Sequence, residues 1–350
     1  MNRSGYRPDK PATIKDVARA LNISISTVSR ALRNMPDVNQ DTRQAVLRKV
    51  EELDYQPNQI ALSLITQKTH TIGVIIPNLD YFFSMAVRGI DDMALETGYT
   101  VMICQSNESF TREMVNTQRL MKGHVDGLIV SNASDSINTE QYERLLAKNF
   151  PIVFFDRANA QLNATKVILD NISGASQAVT HLIEQGCRRI AYLAGPANLS
   201  ISQQRMIGYK DTLQKFGLTI DESLIVYSEF DRDFAYRSTL ALLERPDRPD
   251  AIFAVSDRLI VGALLAIKEK GIKIPEDIAL VGFNDEPVVS LLSPPISSVA
   301  QSAFDMGRLA AKLLVDQLNS DHVLPPQTIM LKPTLKKRAS SIRRFDPPIG

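Results

Sequence analysis

A small all-α head followed by a two-lobed α/β body is the fold class this sequence predicts, and three observations predict it. Between residues 13 and 53 the apolar residues recur at helical spacing in three short runs. From residue 71 onward, apolar β-rich runs alternate with amphipathic helical stretches. Charge divides at the same boundary: residues 1–68 carry 11 Lys and Arg against 7 Asp and Glu, whereas the other 282 carry 29 against 32. A head of +4 precedes a body of −3, so the formal +1 over 350 residues averages two unlike regions.

In the head, Thr13 precedes a run over 14–21 that places Ile14, Val17, Ala18 and Leu21 on one face, with Asp16 completing a variant capping box. Asn22-Ile-Ser24 then breaks the helix, and Ser24 is a good N-cap for a second helix over 25–32. Two helices of two turns joined by a three-residue turn have helix-turn-helix spacing. A third helix over 41–53 puts Val46, Val50 and Leu53 at i, i+4 and i+7 to close a small core. The second helix turns Val28 and Leu32 inward and leaves Ile25, Ser26, Ser29 and Arg30 outside. Short hydroxyl side chains allow close approach to phosphates, and the Arg30 fork reaches a phosphate or a base edge. The same pattern also suits an ordinary three-helix bundle with a solvated face.

Residues 58–66 follow, a run of about two helical turns that is apolar on more than one side. An isolated helix this short lies below the roughly 12–15 residues that are stable in water, so it is expected to be helical only when paired with a partner.

In the body, strands are predicted at 71–76, 100–104, 127–130, 152–155, 189–193, 251–255 and 278–282. Strands apolar throughout and separated by helices indicate parallel sheets covered on both faces, and two such groups indicate two doubly wound lobes. Ligands of such sheets sit beyond the carboxyl ends of the strands. Those ends carry Tyr81, Phe82 and Phe83, then Asp156 and Arg157, then Ser200 and Arg205. They also carry Phe230, Ser256, Asp257, Asn284 and Asp285. Aromatic faces stack on a sugar or a nucleobase, while Asp, Asn and Arg orient hydroxyls or ring nitrogens. Each has a plainer role open: Phe82 and Phe83 as helix-start core, Asp156 and Asp257 as helix caps, Arg205 as a structural ion pair.

Composition excludes other classes. At 44% hydrophobic and 23% charged the chain is globular in make-up, and its near-neutral total excludes a uniformly basic coat protein. No apolar run approaches the roughly 18 residues of a membrane span, and residues 1–9 lack a signal-peptide core, so a cytoplasmic protein without membrane contact is expected. Cys104 and Cys187 read as reduced buried thiols. His70, His124, His181 and His322 show no metal-ligand spacing, and no metal or other cofactor is expected. The first predicted strand is not followed by Gly-x-Gly-x-x-Gly, there is no Walker motif, and no nucleophile-base-orienter trio stands out, so no catalytic residue is assigned. Seven Asn-x-Ser/Thr triplets, such as Asn198-Leu-Ser200, are chance matches in a cytosolic chain.

Five motifs in one order carry a resemblance. Thr13-Ile-x-Asp-Val-Ala18, Ser24-x-x-Thr-Val-Ser-Arg30, Val38-x-x-x-Thr-Arg43, Leu53-x-Tyr-x-Pro-Asn58 and Ala61-x-x-Leu64 resemble the head and hinge of the lactose-repressor (LacI/GalR) family of bacterial transcription regulators. The likeness continues to about residue 338. It implies DNA contacts from Thr13, Ser24, Ile25, Ser26, Thr27, Ser29 and Arg30, with Ile25, Ser26 and Arg30 in the major groove. It also implies that hinge helices pair in the minor groove through Asn58, Ala61 and Leu64, with Leu64 as the wedge. The body it implies is periplasmic-binding-protein-like, with chain crossings between lobes near residues 169–172, 298–302 and 331–334.

The expected domains are 1–57 for the helix-turn-helix DNA-binding domain, with 1–11 a flexible arm, and 58–68 for the hinge helix and linker. Residues 69–338 form the effector-binding and dimerisation core, with one lobe at about 69–170 and 300–331 and the other at about 171–299 and 332–338. Residues 339–350 are a solvated C-terminal tail. That tail has no leucine heptads, so a homodimer on a pseudo-palindromic site of double-stranded DNA is expected rather than a tetramer. By resemblance Asp156, Arg205, Phe230, Asp257 and Asn284 fall on effector-pocket positions, and the effector implied is a carbohydrate or a derivative. Many sugar-responsive members carry Asp where this chain has Asn284 and Asn where it has Ser256, which leaves a nucleoside or purine open. A solute-binding transport protein would share the body but not the basic head.

Overall fold

A computed structural model of the chain describes residues 12–55, 68–135 and 138–343. The arm at 1–11, the hinge at 58–66 with Asn58, Ala61 and Leu64, and residues 344–350 lie outside the described residues. The chain divides into two compact units after Thr69.

In the first unit α1 spans Ile14–Leu21, α2 spans Ile25–Leu32 and α3 spans Gln40–Glu52. The capping box forms: the backbone N–H and the hydroxyl of Thr13 donate to Asp16 Oδ2 at 3.0 and 2.7 Å. Asn22 takes φ 53°, a left-handed conformation that Asn tolerates, and so ends α1. Ser24 Oγ then accepts the Thr27 N–H at 3.0 Å to start α2. Val17, Val28, Ala31 and Val46 are buried together, with Ile14, Leu21, Val50 and Leu53 packed around them.

The second unit holds two six-stranded sheets. β1 (Thr71–Ile76), β2 (Thr100–Gln105), β3 (Gly127–Val130), β4 (Ile152–Phe155), β5 (Thr165–Leu169) and β11 (Thr328–Leu331) form the first. Their order is β11-β5-β4-β3-β1-β2, all parallel. Helices α4 (Tyr81–Glu96), α5 (Phe110–Lys122), α6 (Glu140–Leu146) and α12 (Ala303–Asn319) accompany it. α4 and α12 cross at two glycines: a Cβ on Gly89 would lie 2.0 Å from Phe304 O, and one on Gly307 would lie 1.9 Å from Ala86 O.

β6 (Ile190–Ala194), β7 (Ile225–Tyr227), β8 (Ala251–Ala254), β9 (Ala279–Asn284), β10 (Ser297–Ala300) and β12 (Thr334–Lys336) form the second sheet, in order β12-β10-β9-β8-β6-β7. Its helices are α7 (Asn171–Glu184), α8 (Ser200–Lys215), α9 (Arg232–Leu243), α10 (Asp257–Glu269) and α11 (Pro287–Leu291). Strand order reverses between β1 and β3 in one sheet and between β6 and β8 in the other, which makes a crevice at each switch point.

Three features differ from the sequence expectation. β12 pairs antiparallel with β10, so the second sheet is not wholly parallel. β2 is an edge strand, and Met102 and Ile103 are 46% and 45% exposed rather than covered on both faces. The tail expected to be solvated from 339 is instead docked through 343. Ser340 Oγ donates to Leu280 O at 2.7 Å, and Arg343 reaches Pro275 O and Asp250 O at 2.9 and 2.8 Å. No helix among the described residues is long and apolar enough to cross a membrane.

Candidate functional site

Residues beyond the carboxyl ends of strands in both sheets line one cavity of about 550 Å³. The first lobe supplies Tyr81, Phe82 and Phe83 from the start of α4, and Asp156 with Arg157 after β4. The second lobe supplies Arg205 from α8, Phe230 after β7, Asp257 from the first turn of α10, and Asn284 from the end of β9.

Two expected members stand outside it. Ser200 is the first residue of α8, and its neighbour Ile201 faces the cavity instead. Asp285 is captured by Arg338 Nη1 at 2.6 Å and anchors the C-terminal segment. Several lining residues had escaped sequence reasoning, among them Asp80, Glu108, Arg258, Glu286 and Gln301. Glu108 and Gln301 follow the carboxyl ends of β2 and β10, in polar stretches that carry no aromatic residue to mark a pocket.

Arg205 is buried, donates from Nε to Asn171 Oδ1 at 2.9 Å and from Nη1 to Val255 O at 2.6 Å, and lies 3.7 Å over the Phe283 ring. Burial lowers its pKa to about 10, which still leaves it charged at neutral pH. It is therefore both a cavity wall and a brace between α7 and β8. Burial raises the Asp156 pKa, against the pull of Arg157 and Arg205.

Asp257 is likewise buried. Its Oδ1 accepts from Ser298 Oγ and its Oδ2 from the Glu286 N–H, each at 2.7 Å. Burial still pushes its pKa up to about 8. Gly282 must be glycine beside it, since a Cβ there would sit 2.2 Å from Asp257 Oδ1. The helix cap proper is Ser256, which accepts from Leu259 N at 3.4 Å.

Arg157 is the centre of the cavity wall. Its guanidinium lies 5.4 Å from the Phe83 ring of one lobe and 5.8 Å from the Phe230 ring of the other. Nη1 donates to both Glu108 oxygens, at 2.9 and 2.7 Å. Among the described residues its Nε finds no hydrogen-bond acceptor, and Asp156 Oδ2 lies 3.9 Å away. Asp156, Phe230 and Asn284 all have positive φ (56°, 56° and 114°), so backbone strain gathers at this rim. Asn284 Oδ1 accepts from Gln301 Nε2 at 2.7 Å. Two contacts join the lobes at the mouth: Arg258 to Asp80 at 3.2 Å, and Asn198 Nδ2 to Ser134 O at 2.5 Å.

On the head, Ile25 is 44% exposed, and Ser26 and Arg30 are exposed beside it, with Ser29 half-buried. Ser24 Oγ is shared between Ser26 Oγ at 2.7 Å and Thr27 Oγ1 at 2.8 Å. Thr13 is occupied by its capping box. Arg30 forms an ion pair with Asp37.

A basic helix-turn-helix head in one chain with a two-lobed body around a cleft defines a DNA-binding regulator with a periplasmic-binding-protein-like body. Comparison with known proteins agrees. Residues 13–58 match the model of bacterial regulatory proteins of the lacI family, and residues 179–341 match a periplasmic binding protein-like domain. The ribose operon repressor of Halalkalibacterium halodurans is 35% identical over 87% of this chain and 90% of its own length. The HTH-type transcriptional repressor CytR of Escherichia coli is 32% identical over 91% of this chain and 93% of its own. A lac repressor dimer bound to operator and the anti-inducer ONPF superposes with a TM-score of 0.85 at 25% identity, over 95% of this chain and all of that one. The chain belongs to the LacI family of bacterial transcription regulators.

Proposed function

We propose that this protein is a cytoplasmic, homodimeric repressor, not an enzyme, that binds a pseudo-palindromic operator in double-stranded DNA. Its affinity is set by a small-molecule effector, a sugar or sugar derivative, held between the lobes. The observation that carries the effector reading is the pair Asp156 Oδ2 and Arg157 Nε, 3.9 Å apart beside Phe83 and Phe230. A hydroxyl donates to the carboxylate and accepts from the unpartnered N–H, while the rings cover the C–H face of the sugar. The name of the ribose operon repressor supports the same class. Arg205, Asp257, Asn284 and Tyr81 complete the effector contacts in this reading.

A nucleoside or purine is the second reading, favoured by Asn284. Its Oδ1 is occupied by Gln301 and its side chain also bonds the Glu286 carboxyl, so one amide N–H donor is left for a base acceptor.

On DNA, Ile25, Ser26, Ser29 and Arg30 meet base edges, Ser24 and Thr27 meet phosphates, Thr13 reaches a phosphate by giving up its hydroxyl bond to Asp16, and Asn58, Ala61 and Leu64 meet the minor groove. Dimerisation uses the exposed edge of the first sheet, where Met102 and Ile103 on β2, and Leu95 and Val115 on the two helices that pack against β2, are all exposed. Effector binding shifts the lobe arrangement, through it this interface, and so the pairing of the two heads.

Electrophoretic mobility with genomic fragments tests the DNA half, and failure to shift any fragment at low salt rejects it. A thermal-shift screen of sugars, sugar phosphates and nucleosides tests the effector half, since a specific ligand raises Tm by mass action.

A further inference from the structure

The ionisable side chains of the cleft are unevenly balanced. Four guanidiniums line it, those of Arg157, Arg205, Arg232 and Arg258. Six carboxyl groups face them, Asp80, Glu108, Asp156, Glu229, Asp257 and Glu286, and because burial keeps Asp257 protonated at neutral pH, five of them stand against the four guanidiniums. The guanidiniums are also engaged. Arg258 pairs with Asp80, Arg232 with Asp233, and Arg205 is held by Asn171, Val255 O and the Phe283 ring. Arg157, the cation between the two aromatic walls, has its Nη1 on both oxygens of Glu108.

Glu108 is built for that task. It stands at φ 57° directly after Asn107 at φ 49°, two consecutive left-handed residues, neither of them glycine. The Ser134 N–H donates to its Oε2 at 3.0 Å and fixes the carboxylate from the other side. A strained loop thus presents one carboxylate to the guanidinium best placed to receive an anion.

We propose that Glu108 is a specificity-determining residue, which by holding Arg157 in a cleft with surplus carboxylates admits uncharged ligands and shuts out their phosphate esters. A phosphate ester brings about two negative charges at neutral pH and needs a free guanidinium fork. Here it meets an Arg157 already paired with Glu108, in a cleft whose carboxylates still outnumber its guanidiniums with Asp257 neutral. A neutral hydroxyl needs only the Arg157 Nε donor, which has no hydrogen-bond partner among the described residues, and the Asp156 acceptor 3.9 Å from it. The inference rests on the reading of this cleft as the effector site, and it narrows the effector to an uncharged molecule.

The test measures Kd by titration calorimetry on the full chain for three matched pairs: ribose and ribose 5-phosphate, glucose and glucose 6-phosphate, adenosine and its 5′-monophosphate. At least one neutral member binds the wild type, and its ester binds at least about tenfold more weakly. Glu108→Gln narrows that gap by about tenfold, whereas Glu108→Asp, which keeps the charge, preserves most of it. An ester that binds the wild type as tightly as its neutral partner overturns the proposal. So does an unchanged gap in Glu108→Gln, or an Asp variant that narrows the gap as far as Gln, because the effect would then be packing.

If Glu108→Gln does not fold, Asp80→Asn decides. Both Asp80 and Arg258 are more than half exposed, so this variant keeps the fold while freeing Arg258 at the mouth. A gap narrowed about threefold supports charge exclusion, and an unchanged gap overturns it. If no pair binds at all, the effector reading of the cleft is what fails, and the selectivity falls with it.

Discussion

Arg30 on α2 is ion-paired to Asp37 in the turn that leads to α3, with the two side chains 51% and 42% exposed. The one guanidinium on the exposed face of α2 is therefore held by a carboxylate that any phosphate or guanine must displace. Exposed pairs of this kind are worth about 0–1 kcal/mol. Asp37→Asn should tighten operator binding by up to about fivefold and steepen its salt dependence, because Arg30 then releases a counterion on binding. Fluorescence anisotropy at several salt concentrations measures both, and weaker binding by this variant rejects competition between Asp37 and DNA.

Leu64→Ala addresses the minor-groove contact read from the sequence. A wedge side chain is needed only where the duplex is kinked, so its loss should weaken operator binding by roughly tenfold or more. Binding to random-sequence DNA should change little. Equal losses on both would reject the wedge.

How much of this was legible beforehand depends on what each residue packs against. β1, β3 and β4 are apolar and almost wholly buried, and the sequence marks them residue for residue. β10 begins with Ser297 and Ser298, both fully buried, whose hydroxyls bond Arg338 O and Asp257 Oδ1. Two serines read as loop until those partners, 41 residues away on either side, are known. Glu108 lies in a polar stretch, Ser-Asn-Glu-Ser, that suggests a solvated turn, and its partner Arg157 is 49 residues on. Asp285 follows β9, a position that points to the cleft, but Arg338 takes it. Aromatic and charged residues at strand ends were recoverable by rule, whereas pairings between distant loops were not.

Arg205 is expected to show two effects at once. Lys in its place keeps the charge but loses the planar fork that spans Asn171 and Val255 O and rests on Phe283. A loss of about 2–3 kcal/mol in stability is expected, together with loss of the ligand-induced rise in Tm. DNA binding in the absence of effector should persist. A variant with normal stability and normal ligand response would remove Arg205 from both roles.

Asp257 makes stability depend on pH in a definite direction. Its carboxyl has a folded-state pKa of about 8 against 3.8 as its ordinary value. Between those values the folded chain holds a proton that the unfolded chain has released, so stability falls as pH rises. His181 acts oppositely, its pKa lowered by burial to about 4 from 6.5, and it adds stability as pH rises through that window. Above pH 6.5 that opposition fades as the unfolded-state imidazole loses its remaining protons, and Asp257 increasingly acts alone up to about pH 8. Its contribution there is a loss of up to about 1 kcal/mol per pH unit. Asp257→Asn keeps an oxygen for Ser298 or the Glu286 N–H but cannot ionise, so its Tm should decline less than that of the wild type between pH 6.5 and 8. The gap between the two melting curves should therefore shift in favour of the variant as pH rises. Parallel curves across that range would show that Asp257 is ionised in the folded protein throughout, with its two hydrogen bonds outweighing burial.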